Sequence, residues 1–284
     1  MSVPASRPGT EGWEASTPLL GIVTALPEEL APLRRRAANV RATRARSSRF
    51  LLGDLAGKPV VMTCTGVGQR RADRGARALL DAFSVRGLLG AGVAGGLSPG
   101  LGAGEILVGD PVRDSSGAVG APDASWVERA LRSEGAPRRA TLVTVDELLW
   151  SAEGKASLWR TCSPAQPAAV DLESAAWARV AAEKGIPYLI VRSVLDRAEE
   201  NLPEILARCQ DPDGGLSRAK VVRQALLRPR LVSDLIALRA RTRSGGEGLA
   251  RFVEGLLKGE AARDPRGGAG PQNGATIPSL ERRP

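Results

Sequence analysis

The sequence predicts an α/β fold: a three-layer α/β/α sandwich around a central mixed β-sheet, with further helices at the C-terminal end. Three observations predict it. Short apolar, β-rich runs alternate with stretches of helical periodicity along the chain. Glycines gather where apolar runs end, at Gly66-Val67-Gly68 and through residues 90–104. Two acids, Glu173 and Asp196, stand where strand-like runs finish, and in open α/β sheets that rim is where ligands bind.

The elements follow in order. Residues 19–25 read as a buried strand, and Pro27 opens a helix to about residue 38. Residues 50–55 and 59–65 read as a hairpin around Ala56-Gly57-Lys58. A helix over 69–83 places Ala72, Ala76, Leu79, Leu80 and Phe83 on one face. Strands are predicted at 87–94, 105–108 and 140–145, with 110–124 an exposed loop or weak hairpin. Residues 168–172 form a short buried strand and 174–184 a helix, broken by Gly185-Ile186-Pro187. Residues 188–194 form the next strand, which puts Asp196 just past its end. From residue 216 the pattern is helical, with breaks at Pro229 and at Ser244-Gly245-Gly246. Residues 1–16 and 261–284 read as tails without fixed structure. The expected division is therefore a catalytic domain over 17–213 and a basic helical extension over 214–260.

Composition narrows the chemistry. Of 284 residues 43% are apolar but only 3% aromatic, so the core must be built from Leu, Val, Ile and Ala. No run of apolar residues is long enough to span a bilayer, and the N-terminus lacks the apolar stretch of a secretory signal. Cys64, Cys162 and Cys209 are widely spaced and in no metal motif, and read as reduced thiols of a cytoplasmic protein. The chain has no histidine, which excludes Ser-His-Asp and Cys-His nucleophile systems and His-based metal sites. Acid–base work falls to carboxylates, Lys, Tyr or Cys. Residues 217–243 carry eight basic residues against one acid, seven of the chain's nine net positive charges. The charge is local to one segment, and the scarcity of aromatic residues makes nucleic acid a poor partner for it.

Each candidate motif has a plain structural reading beside the functional one. Glu28 and Glu29 lie in the first turn of a helix, where acids complement the dipole; alongside the other motifs, Glu29 is read as facing the ligand rim. Gly66 and Gly68 make a strand–Gly-x-Gly–helix turn, suited to a polar ligand at a helix N-terminus and equally to an ordinary tight turn. The glycines at 90–104 are read as backbone packed against a flat ligand. Glu173 and Asp196, flanked by apolar sequence, suit acids of raised pKa and equally a buried ion pair with Arg192 or Arg197.

Taken together and in order, the segments at 21–30, 65–68, 91–104, 170–176 and 191–196 resemble those of the nucleoside phosphorylase and nucleosidase superfamily, which includes the methylthioadenosine/S-adenosylhomocysteine nucleosidases. The resemblance covers roughly residues 19–203. Asp171-Leu172-Glu173-Ser174, the basic tail and Leu226-Leu227-Arg228-Pro229 look most like the hopanoid-associated phosphorylase branch. The resemblance implies that Asp196 protonates N7 of an adenine base, that Glu173 holds the ribose diol, and that Glu29 orients an attacking water. It places Leu172 under the sugar, Ala94, Gly95 and Gly96 along base and ribose, and Leu148 over the base. It implies no metal and no organic cofactor, with phosphate open as a co-substrate, and a homo-oligomer. Departures accompany it. Val93 stands where the family usually has Ser or Thr, and Leu195 replaces a Ser. Gly90 stands where phosphorolytic members carry a phosphate-binding Arg, leaving Arg70 and Arg71 as alternative phosphate ligands or solvated helix charges.

The branch is taken to release adenine from adenosylhopane, a membrane lipid. Residues 216–238 interleave Val221, Val222, Leu226, Leu227, Leu231, Val232, Leu235, Ile236 and Leu238 with arginines. Such a segment suits the face of an anionic bilayer and equally a helix packed on the core with its arginines in solvent. A methylthioadenosine or S-adenosylhomocysteine nucleosidase is the alternative enzyme. A non-catalytic nucleoside or membrane-surface binding protein is the alternative of another class.

Overall fold

The computed structural model describes residues 18–45, 47–162, 165–211, 220–221, 223–224 and 230–261. The tail reading at 1–16, that at 261–284 apart from residue 261 (which ends a helix), the boundary at 213/214 and the segment Leu226-Leu227-Arg228-Pro229 with its break lie outside these residues.

Among the described residues ten strands form one mixed sheet. At its centre β1 (Leu19–Thr24) is buried along its whole length and pairs in parallel with β4 (Lys58–Cys64) and β5 (Val85–Gly96). A strand covered on both faces needs an unbroken apolar run, as Leu-Leu-Gly-Ile-Val-Thr supplies. The expected hairpin forms between β3 (Ser48–Leu55) and β4, with Ala56 and Gly57 at positive φ in its turn. β2 (Ala38–Ala45) pairs with β3 as a mostly exposed edge. α1 (Pro27–Arg36) stops short of the end expected near residue 38, and β2 is a strand the sequence does not announce. An edge strand with little buried surface leaves no apolar alternation to read.

The other half of the sheet curls. β5 pairs with β10 (Tyr188–Asp196) and also, at Gly95 and Gly96, with β9 (Ala168–Asp171). β9 pairs with β8 (Arg138–Thr144), β8 with β6 (Ile106–Asp114), and β6 with β10. These five strands close into a ring. β6 turns back through the two-residue β7 (Gly117–Ala118), so of the two readings of 110–124 the weak hairpin is the one that forms over residues 113–118.

Helices cover both faces. α2 (Gln69–Ala82) buries Ala72, Ala76 and Leu79 and packs on α5 (Ser174–Glu183), forming one apolar core with the sheet. On the other face α7 (Arg230–Ala261) lays Leu249, Ala250, Phe252, Val253, Leu256 and Leu257 against Leu33 of α1 and the strands. The shorter helices are α3 (Ala124–Leu131), α4 (Ala152–Cys162) and α6 (Ile205–Arg208). Contrary to the expected break, α7 runs unbroken through Gly245 and Gly246. A Cβ on Gly246 would lie 2.9 Å from the Glu28 carbonyl oxygen, and one on Gly245 3.1 Å from Val93 Cγ1. The two glycines let the helix lie directly on α1 and β5; close approach outweighs their poor helix propensity.

Candidate active site

Where β1, β5, β9 and β10 end, a cavity of about 170 Å³ opens, lined mainly by apolar side chains. Its charged groups are the carboxylates Glu29, Asp171, Glu173 and Asp196, joined by the uncharged polar side chains of Gln210 and Thr242.

Glu29 is buried in the first turn of α1. Its Oε2 accepts hydrogen bonds from the backbone N–H groups of Ala25 (2.9 Å) and Leu26 (2.8 Å), and its Oε1 from that of Val93 (2.9 Å). Burial pushes its carboxyl above the usual range, against the opposing pull of the Arg192 guanidinium and these three bonds.

Glu173 precedes α5. Its Oε1 accepts from the backbone N–H of Gly68 (3.0 Å) and its Oε2 faces Arg192 Nη2 at 3.4 Å. Burial pushes its pKa up to about 7; Arg192 opposes the rise, and the neighbouring Asp171 and Glu29 add to it.

Arg192 is the hub of this group. It is fully buried on β10 and its Nε sits 3.0 Å from Asp171 Oδ2. It donates to Ser174 Oγ and the Val93 carbonyl, and its guanidinium carbon lies 4.8 Å from the Trp177 ring centroid. Asp171 in turn accepts from Thr144 Oγ1 (2.8 Å), the backbone N–H groups of Glu173 and Ser174, and the Ser174 hydroxyl. The residue thus fixes the turn that presents Glu173.

Asp196 is the last residue of β10, one position inside the strand rather than just past its end. It is 1% exposed and its Oδ2 pairs with the ammonium of Lys155. Among the described residues no hydrogen bond reaches its Oδ1. Burial raises its pKa, and the Lys155 bond draws it back.

The structure therefore brings Glu29, Glu173 and Asp196 to one cavity. Leu172, Ala94, Gly95 and Leu148 line it as well. Gly66, Gly68 and Gly96 do not. Gly68 contributes its backbone N–H to Glu173, while Gly96 pairs with Ala169. The glycine-rich stretch departs furthest from its reading. A Cβ on Gly90 would lie 2.5 Å from Ile190 Cδ1 and 2.7 Å from Trp177 Cε3, and one on Gly92 2.3 Å from Arg192 Nη1. These glycines admit the protein's own large side chains to β5; only the segment around Ala94 and Gly95 faces the cavity. Both ion-pair alternatives are realised in part: Glu173 pairs with Arg192, and Asp196 pairs with Lys155 rather than Arg197. Arg71, a candidate phosphate ligand, pairs with Asp211.

Sequence reasoning missed Lys155, Asp171 and the contribution of α7, whose Leu238 and Thr242 line the cavity. Asp171 stood in view, next to Glu173 in the motif. Lys155 carried no signal, since a lone Lys in Ala152-Glu153-Gly154-Lys155 reads as a solvated helix charge.

The family profile described as the phosphorylase superfamily matches residues 19–224. The 5′-methylthioadenosine/S-adenosylhomocysteine nucleosidase of Listeria welshimeri is 28% identical over 205 residues, 64% of this chain and 87% of that protein. The enzyme of the same name from Shewanella denitrificans is 27% identical, covering 65% and 88%. Among solved structures, the methylthioadenosine/S-adenosylhomocysteine nucleosidase of S. pneumoniae with a transition-state inhibitor superposes with a TM-score of 0.66 at 19% identity, covering 84% of this chain and 98% of that one. The futalosine hydrolase of Helicobacter pylori gives 0.66 at 18%, covering 86% and 98%. At these identities the structural matches establish a shared fold.

Proposed function

The chain belongs to the phosphorylase superfamily, and from that premise we propose that it cleaves the N-glycosidic bond of an adenine nucleoside, releasing adenine from adenosylhopane. The observation that carries the reading is the convergence of Asp196, Glu173 and Glu29 on one apolar cavity. Asp196, held largely dry, gives its proton to N7 as the C1′–N9 bond breaks and the bonding pair leaves with the base. Glu173 accepts from the ribose hydroxyls while the sugar flattens toward an oxocarbenium ion. Glu29, fixed by three backbone donors, takes the proton of the water that adds to C1′. Leu172 supports the sugar, Leu148 covers the base, and the backbone at Ala94 and Gly95 runs along both.

Water is the nucleophile this site favours. Gly90 has no room for an arginine, Val93 offers no hydroxyl, and Arg71 is engaged with Asp211. For the 5′ substituent, the leucines of the lining matter most. Leu149, Leu202, Leu206 and Leu238 suit a hydrocarbon. Leu238 lies on α7, where Val232 and Ile236 are exposed and Arg239, Arg241 and Arg243 follow. That stripe fits the surface of an anionic bilayer holding a lipid-linked nucleoside. The second reading, a methylthioadenosine or S-adenosylhomocysteine nucleosidase, is favoured by the names of the matched relatives.

The test is adenine release from adenosylhopane and from methylthioadenosine, each with and without phosphate. Release from the lipid alone, independent of phosphate, is expected. Release mainly from methylthioadenosine would transfer the chain to the second reading, and strict phosphate dependence would replace water as the nucleophile. No release from either would leave a binding protein.

A further inference from the structure

We infer that Lys155 is a positioning residue for base release: its buried ammonium holds the Asp196 carboxyl at the cavity and balances the negative charge left there once the proton has gone to the base. The inference rests on the reading of Asp196 as the proton donor.

Lys155 lies on α4 and is fully buried, a placement that lysine almost never adopts without a partner. An ammonium has three N–H donors, and all three are used. One goes to Asp196 Oδ2, one to the carbonyl of Arg197 (2.7 Å) and one to the carbonyl of Glu200 (2.8 Å). None is left for a substrate, and Lys155 is not among the residues that line the cavity. Its influence on the reaction passes through Asp196 and the loop behind it. The same region is pinned twice more: the Ala152 N–H donates to Asn201 Oδ1 (2.7 Å) and the Leu202 N–H to the Trp150 carbonyl (2.7 Å). One side chain thus ties the strand end that carries Asp196 to the loop whose Leu202 forms the cavity wall.

Those bonds alone would make Lys155 a clamp, and a neutral donor would serve as well. The charge distinguishes the two roles. As the proton leaves, Asp196 passes from neutral to anionic inside a largely apolar cavity, where fixed positive charge acts with little screening. Two other charged groups face Asp196: Glu200 from the loop and Arg241 from α7. They pair with each other at 2.6 Å and act on Asp196 in opposite directions. Lys155 is the cation in direct contact. The step balances without it: the proton moves from Asp196 to the base, the carboxylate remains, and Lys155 keeps its three protons throughout.

The sign of the pH effect follows. Burial raises the Asp196 carboxyl and Lys155 draws it back. The active form is protonated. Removing the ammonium therefore lets the pKa rise further, moves the high-pH fall in kcat to higher pH, and lowers the plateau because the departing proton leaves an unbalanced anion.

The experiment is the pH profile of kcat for adenine release, with methylthioadenosine or adenosylhopane according to which is turned over, for Lys155→Met, Lys155→Gln and Asp196→Asn. Lys155→Gln keeps an amide donor for the loop carbonyls and serves if Lys155→Met does not fold. Both neutral variants should lose ~10-fold or more in kcat with KM within ~2-fold, with the high-pH limb displaced upward, and neither should add to the loss in an Asp196→Asn background. A limb that stays in place, or a Gln variant with wild-type kcat, overturns the inference and leaves the Asp196 reading intact. An active Asp196→Asn overturns that reading, and the inference with it.

Discussion

The three acids of the cavity differ in what holds them. Glu29 is fixed by backbone donors, Glu173 by one backbone donor and a guanidinium, and Asp196 by an ammonium on one oxygen. Only the last keeps an oxygen without a protein partner among the described residues, as the proton-donor role proposed for it requires. Asp196→Asn preserves shape and removes the proton, so adenine release should fall by ~10²–10⁴-fold while circular dichroism and thermal melting stay close to those of the parent. A variant with near-parental turnover would take Asp196 out of the chemistry. These three acids were legible because each interrupts or ends an apolar run, where a charge needs a reason. Lys155 and Asp171 were not. Lys155 lies in a helix whose other faces are half-exposed, and its burial arises only when residues 196–200 fold over it, a contact no local pattern encodes.

At the scale of elements, α7 gives the sharpest contrast between local propensity and packing. Glycine inside a helix costs ~1 kcal/mol relative to alanine, so Ser244-Gly245-Gly246 reads as a break. The structure keeps the helix and uses the missing side chains to seat it on α1 and β5. Gly246→Ala should therefore destabilise the protein, by ~1–3 kcal/mol, although the same change in a free helix would stabilise it. Gly255, exposed on the same helix with nothing within 4 Å of its would-be Cβ, supplies the control: Gly255→Ala should stabilise by ~0.5–1 kcal/mol. Urea melts of the two variants decide it, and stabilisation by both would mean that α7 does not lie this close in solution. β1, β4, α2, α5 and the core of β10 could be read from sequence since each is amphipathic or wholly apolar. β2 could not, being an exposed edge, nor could the curling of the second half of the sheet, which depends on β9 meeting β5 at two glycines.

For the molecule as a whole, the missing histidine simplifies the dependence of stability on pH. Without histidine no side chain has an ordinary pKa between pH 5 and 7.5, so the slope there reports the buried acids. Glu173 binds its proton more tightly in the folded state, at about 7 against an ordinary 4.5, and Glu29 and Asp196 shift in the same direction. Stability from these groups is present below about pH 4.5 and is lost as pH rises toward about 7. Melting temperature should decline across that window, and Glu173→Gln should flatten the decline; an equal slope in the variant would exclude Glu173 as its source. The proposed bilayer contact is also a property of the whole surface. At low salt the protein should sediment with vesicles rich in anionic lipid, lose most of that association at high salt, and bind more weakly as Ile236→Glu. Sedimentation with neutral vesicles alone would contradict a basic docking face. The ring of β5, β10, β6, β8 and β9 has a further consequence. Every strand in it is bonded on both sides, and Asp171 and Asp196 both end strands of that ring. Residues 191–193, just before Asp196, are paired with β5 on one side and β6 on the other. In heavy water their amides should be among the last in the chain to take up deuterium, so that the strand carrying the proposed proton donor stays anchored even when its end moves.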